Sequence, residues 1–249
     1  MSTFYIKKNQ IKDGYISILG DDYKHIKNVL RCKIGEYIDI CDENAIRYKT
    51  KIAKYMEDEV VCQVEKIDEN STESPINITL YQGLPKSDKL ELIIQKATEI
   101  GASNVYPVQM ERSIVKLEEK SIDKKIDRWN KIAVEASKQS GRQKVLKVHR
   151  VIKLKNIIEN ISKYDIVLLP YENEKSATIK GTLKKLLEKN IKINDIAVII
   201  GPEGGFSEEE VSTLNKFENV HTVTLGPRIL RTETAGLATL AMLIYEFEL

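Results

Sequence analysis

The sequence predicts a two-domain α/β protein, with a small β-barrel-like domain at residues 1–72 and a mainly parallel sheet flanked by helices at residues 73–249. Three observations carry that expectation. The first seventy residues hold short segments rich in Tyr, Ile and Val with partial alternation, as half-buried strands require. A polar run, DENSTESP at 68–75, then ends in proline and reads as a linker. After it, apolar strand-like segments alternate with long amphipathic ones.

In the first domain FYIK, YISIL, EYIDIC, IRYKTKIAKY and EVVCQVEKI read as strands, interrupted by one short helix from about Asp22 to Arg31. INITLYQG opens the second domain as a strand, and SDKLELIIQKATEIG follows as a helix capped by Ser87 and stopped by Gly101. The strand NVYPVQM precedes a long helix over 123–139. One face of that helix carries Ile122, Ile126, Trp129, Ala133 and Ala136, and the other Lys124, Arg128, Lys131 and Lys138. Then come strand YDIVLLP, helix IKGTLKKLLEKN, strand DIAVII, a helix over 207–217, strand HTVTLG and a final helix from Thr232, its N-cap, to Phe247.

The apolar fraction of 42% and charged fraction of 31% are those of a soluble globular chain. A net charge of +2 gives no ground for nucleic-acid binding from the total. Locally the balance shifts: seven Lys/Arg against three Asp/Glu from Lys7 to Lys33, and twelve against five from Arg112 to Arg150. Such patches suit a phosphate backbone, or are solvated faces of a lysine-rich protein. No apolar run approaches the ~20 residues of a membrane span. The start MSTFYIKKNQIKDG is too charged for a signal peptide. Cys32, Cys41 and Cys62 are odd in number and lack C-x-x-C spacing, so they read as reduced thiols in the cytoplasm, without a metal.

The chemistry concentrates where three strands end. IVLLP runs into Pro170-Tyr171-Glu172, AVII into Gly201-Pro202-Glu203-Gly204-Gly205, and TVTL into Gly226-Pro227-Arg228. In open α/β sheets ligands sit at the carboxyl ends of strands. GPEGG is followed by Phe206 and Ser207 rather than by Lys and Ser or Thr, so it is no P-loop, and its glycines do not fit G-x-G-x-x-G. A loop with no lysine holds its ligand mainly by main-chain groups and suits an adenosyl group without phosphates. The alternative is a plain strand-to-helix turn, since Ser207 and Glu210 form a capping box. LGPRILRTETAGLATLA at 225–241 adds Arg228 and Arg231, a charged pair that must meet water or an anion. Ala235, Gly236 and Ala238 equally serve close helix packing.

Together IGPEGGFS, LGPRILRTETA, LELIIQKATEIG and ERSIVK, with HIKNVLR at 25–31, resemble the RsmE-type 16S rRNA uridine N3-methyltransferases of the SPOUT superfamily. The resemblance covers nearly the whole chain. It implies a PUA-like N-terminal β-barrel, a SPOUT α/β domain with a C-terminal trefoil knot, S-adenosylmethionine as cofactor, 16S rRNA of the small subunit as partner, and a homodimer. Carried over residue by residue, the cofactor contacts are Leu169, Pro170, Tyr171, Glu172, Ile200, Gly201, Pro202, Glu203, Gly204, Gly205, Leu225, Gly226, Ile229, Leu230, Arg231, Thr234 and Ala235. The RNA-contact candidates are Lys7, Lys8, Lys27, Arg31, Glu111, Arg112, Lys116, Gln139 and Arg142. Thr3 stands where the family often has an arginine, and Lys7 and Lys8 are the available replacements.

Arg231 and Arg228 are the catalytic candidates. A uracil N3 must lose its proton, and Arg231 near O2 or O4 would stabilise the anion while Arg228 or Arg112 holds phosphate. Glu203 is the nearest acidic candidate for the base, or else satisfies donors of its own loop. His25, His149 and His221 read as surface or packing residues. Sister families that methylate ribose hydroxyls or guanine N1 are the nearest rivals. A non-catalytic RNA-binding protein and a Rossmann oxidoreductase follow.

Overall fold

The computed structural model describes residues 3–86, 88–116 and 119–248. The expected Ser87 cap lies outside them. The chain forms two compact units, Met1–Glu73 with Ser137–Val145, and Ser74–Ala136 with Leu146–Leu249.

The first unit is a six-stranded sheet. Its strands are β1 (Thr3–Ile6), β2 (Ile11–Lys12), β3 (Tyr15–Leu19), β4 (Tyr37–Asp42), β5 (Arg47–Tyr55) and β6 (Glu59–Asp68), in the order β1-β4-β5-β6-β3-β2. β1 pairs β4 in parallel and the other pairs are antiparallel. Alternation places Phe4, Ile16, Ile18, Ile38, Ile40, Ile52, Val60 and Cys62 in one core. The expected helix begins earlier than Asp22. Helix α1 (Gly20–Lys24) widens into a π-turn over His25–Leu30 and ends with Arg31 left-handed at φ 54°. Burial raises the Cys41 thiol to about 11 and the Cys62 thiol to about 12, so both stay protonated.

The residues after the long helix complete this unit. Glu73 accepts from the Arg142 guanidinium at 2.6 Å and from the Gln143 and Lys144 N–H groups at 2.8 and 3.1 Å. Thr72 N–H donates to Gln143 Oε1 at 2.9 Å, and Arg47 Nη2 to the Gly141 carbonyl at 2.5 Å. The polar 68–75 stretch is therefore tied down at its end. The bonds to the Glu73 carboxylate are charge-assisted and hold this end of the stretch.

The second unit holds β7 (Asn77–Gly83), α2 (Lys89–Ile100), β8 (Asn104–Gln109), most of α3 (Glu119–Ser140), β9 (Lys147–Val148), β10 (Ile152–Lys153), α4 (Leu154–Ile158), β11 (Ile166–Pro170), α5 (Ile179–Glu188), β12 (Asp195–Ile200), α6 (Glu208–Leu214), β13 (Val220–Val223) and α7 (Thr232–Glu248). The sheet runs β10-β8-β7-β12-β11-β13, with β9 on β8, and every pair is parallel. β9, β10 and α4 are too short to leave a periodic signature and have no counterpart in the sequence reading. β7, β11 and β12 are buried on both faces, as near-continuous apolar runs require. Of the histidines in this unit, His149 stacks on Tyr106 with centroids 3.9 Å apart. Burial lowers its pKa to about 4, so it packs as a neutral ring.

Candidate active site

β12, β11 and β13 are neighbours, so the three loops that follow them share one end of the sheet. Between them lies a cleft of about 400 Å³, lined by Pro170–Glu172, Ile200–Glu203, Gly205, Phe206, Thr224–Thr232 and Ala235, with Lys89 and Lys175. Of the proposed cofactor contacts, Leu169, Gly204 and Thr234 do not line it. Leu169 is wholly buried in the core beneath. Phe206, Thr224, Pro227 and Thr232 line the cleft without having been singled out as contacts. Phe206 was hidden by its neighbours' glycine signal, though an apolar residue closing a Gly-rich loop is itself a packing cue.

Glycine is required here at identifiable places. Gly205 sits at φ +69° and closes the turn by donating to the Pro202 carbonyl at 2.9 Å. A Cβ on Gly204 would stand 3.0 Å from Arg112 Cβ. Gly83, at the end of β7, is the tightest position: a Cβ there would lie 2.5 Å from Pro202 N. It gave no signal, because a single glycine at a strand end is compatible with any turn.

The first turn of α6 starts as expected. Ser207 Oγ accepts from Glu210 N–H at 3.2 Å, and Glu210 Oε2 from Ser207 N–H at 3.0 Å. Glu210 Oε1 also accepts from Glu111 N–H at 3.0 Å, fixing the loop after β8. The start of α7 differs from expectation. Thr232 is not the N-cap, because its hydroxyl points inward, donating to the Gly201 carbonyl at 2.6 Å. The Ala235 N–H donates to the Arg231 carbonyl at 2.8 Å, which puts Arg231 at the cap position.

The cleft does hold lysines, contrary to the reading of the loop alone. Lys89 Nζ lies 3.2 Å from both Glu203 Oε1 and Glu233 Oε2, and these carboxylates raise its pKa. Lys175 Nζ donates to the Glu172 carbonyl at 2.5 Å. Both ammonium groups are thus engaged by the protein. Arg228 and Arg231 are exposed, and among the described residues neither guanidinium has a partner. The backbone N–H groups of Leu225, Ile229 and Leu230 make no hydrogen bond to a described residue. A group with polar edges fits this lining: free main-chain donors, the rings of Tyr171 and Phe206, and two cations uncommitted among the described residues. Among the described residues no cluster of His, Cys, Asp or Glu could hold a metal ion.

A family model described as an RNA methyltransferase domain matches residues 72–244, and one described as an RNA methyltransferase PUA domain matches residues 18–65. The chain belongs to the RNA methyltransferase family. It is 37% identical over 252 residues to ribosomal RNA small subunit methyltransferase E of Bacillus subtilis, covering 100% of this chain and 98% of the relative. The namesake from Aquifex aeolicus is 30% identical, covering 98% and 99%. The solved structure of the Neisseria gonorrhoeae namesake, bound to S-adenosyl methionine, matches with a TM-score of 0.84 at 27% identity, covering 99% of this chain and 98% of that one.

In this RNA methyltransferase Glu203 Oε1 accepts from the Lys86 N–H at 3.0 Å and from Lys89 Nζ at 3.2 Å. Burial pushes the Glu203 pKa up, but the N–H groups of Lys86 and of Glu203 itself, with the Lys89 ammonium, outweigh burial and hold it below the ordinary carboxylate range. Arg112 is exposed, with Nη1 3.3 Å from the Gly204 carbonyl. Glu111 and Lys116 are exposed on the same loop. In the PUA-bearing unit Lys7, Lys8, Arg31 and Gln139 are exposed, and Lys27 donates to Tyr23 Oη at 2.5 Å. Arg142 is the correction. At 5% exposure its guanidinium is committed to Glu73 and is not presented to a phosphate.

Proposed function

We propose that this methyltransferase transfers a methyl group from S-adenosylmethionine to N3 of a specific uridine in 16S rRNA, on the assembled small subunit. The observation that carries the reading is the cleft at the ends of β11, β12 and β13, where free main-chain donors meet two guanidinium groups with no partner among the described residues. When bound, S-adenosylmethionine supplies a methyl group that is already electrophilic on its sulfonium. Pro170–Glu172, Gly201–Glu203, Gly205, Leu225–Pro227, Ile229, Leu230 and Ala235 would hold it.

The residues of this chain then have the harder task, which is the nucleophile. Uracil N3 carries a proton and is occupied in a base pair, so the base must be unpaired or flipped into the cleft. Arg231 stabilises the negative charge that spreads to O2 and O4 as that proton leaves. Arg228 and Arg112 hold flanking phosphates, and the exposed cations of the PUA domain add sequence-independent affinity.

The same reading includes a trefoil knot. β13 is the edge strand, yet the chain after it returns past β11 so that Thr232 meets Gly201 beyond β12. It also includes a homodimer: Ile229, Met242 and Tyr245 leave apolar surface exposed beside the cleft and along α7, with Ile229 85% and Tyr245 70% exposed. No helix among the described residues is long and apolar enough to cross a membrane, and a ribosomal substrate places the work in the cytoplasm.

The test is transfer from radiolabelled S-adenosylmethionine to unmodified 30S subunits, followed by nucleoside analysis. A single 3-methyluridine in 16S rRNA is the expected product. Label on ribose or guanine would move the protein to a sister specificity.

A further inference from the structure

A fully buried polar side chain stands behind the cleft without lining it. Gln82, at the end of β7, has no solvent exposure. Its Nε2 donates to Thr232 Oγ1 at 2.7 Å and to the Gly83 carbonyl at 3.1 Å. Thr232 Oγ1 donates in turn to the Gly201 carbonyl at 2.6 Å. A hydroxyl has one proton. Because that proton goes to Gly201, Oγ1 must accept from Gln82, which fixes the orientation of the amide.

The orientation has a cost. Gln82 Oε1 is buried without a hydrogen-bond partner among the described residues. It faces Gly236, where a Cβ would come within 3.2 Å of it. The surroundings are apolar, with Leu80 and Ile200 nearby, and an apolar side chain could fill them without a stranded carbonyl. What only the amide supplies is a donor to Thr232. Without that donor the Thr232 hydroxyl loses one of its two partners, and its rotamer is held only by the bond to Gly201.

Both ends of the relay belong to the cleft: Gly201 opens the GPEGG turn, and Thr232 directly follows Arg231. We propose that Gln82 is a positioning residue, which through Thr232 locks the first turn of α7 onto Gly201 and so aims Arg231. The kinetic part of this inference rests on the methyl-transfer reading, and the structural part does not.

The test compares Gln82→Met, which keeps volume and removes the donor, with Thr232→Val, Thr232→Ser and the double variant Gln82→Met/Thr232→Val. Amide hydrogen exchange in the full chain reads the lock directly. In Gln82→Met and in Thr232→Val, exchange at Ala235 should rise about tenfold while β7 and β12 amides stay protected. The double variant should be no worse than either single one, because both break the same relay. Thr232→Ser, which keeps the hydroxyl, should stay near wild type. On 30S subunits the two disrupting variants should lose about tenfold or more in kcat with little change in KM, since a small misplacement of a catalytic group is costly.

Unchanged exchange at Ala235, a rise shared equally by the core strands, or additive effects in the double variant would overturn the relay. Selective loosening with kcat unchanged would overturn its role in aiming Arg231. A wild-type protein that transfers no methyl group would instead sink the proposed function, and the exchange data would still decide the relay.

Discussion

Arg142 and Arg231 each stand where a long helix meets an irregular segment, Arg142 just after α3 and Arg231 just before α7. Arg142 is buried, with its guanidinium on Glu73 at 2.6 Å and its carbonyl accepting from Tyr5 Oη at 2.7 Å. Arg231 is exposed, has no side-chain partner among the described residues, and lines the cleft. A guanidinium that already has a buried carboxylate contributes to the fold. One held at a cleft with nothing to neutralise it is available to an anion. In the sequence both are arginines near glycines in basic stretches, and only the partners separate them.

The comparison would be broken most directly by truncating each side chain. Arg142→Ala strands Glu73 in a mostly buried site and should destabilise the fold by about 3–5 kcal/mol. Denaturant unfolding would show this, with turnover per folded molecule retained. Arg231→Ala should leave the unfolding midpoint unchanged and lower kcat by about 10²–10³, the effect of losing one preorganised donor to a developing charge. If Arg231→Ala instead weakened cofactor binding and kept the single-turnover rate, the residue would belong to the cofactor and not to the uridine.

A finer test uses pH. Burial pushes the Glu73 pKa up, but the hydrogen bond and charge of Arg142 and the two backbone donors outweigh it, so the folded-state value lies below the ordinary 4.5. A depressed carboxylate contributes stability that is present above its unfolded pKa and is lost as pH falls through the folded one. Unfolding free energy should therefore decline on acidification below about 4.5, and Glu73→Gln should flatten part of that decline. The smallest effect is expected at Lys89, whose partly exposed ion pairs with Glu203 and Glu233 are open to screening. Lys89→Met should leave the thermal midpoint nearly unchanged.

The sequence made the β/α alternation legible because β7, β11 and β12 are apolar runs long enough to be unambiguous, and each loop after β11, β12 and β13 announced itself with proline or glycine. The capping box at Ser207 and Glu210 was equally plain, being a local pattern with a local partner. Three features were not legible. Thr232 has the chemistry of an N-cap, and only the approach of β12 and β7 turns its hydroxyl inward to Gly201 and Gln82. Lys89 lies more than a hundred residues before Glu203, so nothing in the GPEGG loop predicts its ion pair. Arg142 is an RNA contact only by the family resemblance, and its partner, Glu73, sits in a stretch that reads as a linker. In each case the deciding contact is long-range, and local pattern carries no record of it.

Gly83 has a mechanical consequence. A Cβ there would come within 2.5 Å of Pro202 N, so the end of β7 touches the proline turn backbone to backbone, with no side chain between them to swing aside. Such a joint has no rotamer in which to absorb a displacement. The rim of the cleft should therefore move only with the sheet, as a stiff socket, and adjustment to a bound ligand falls to the other wall, the segment from Gly226 to Leu230.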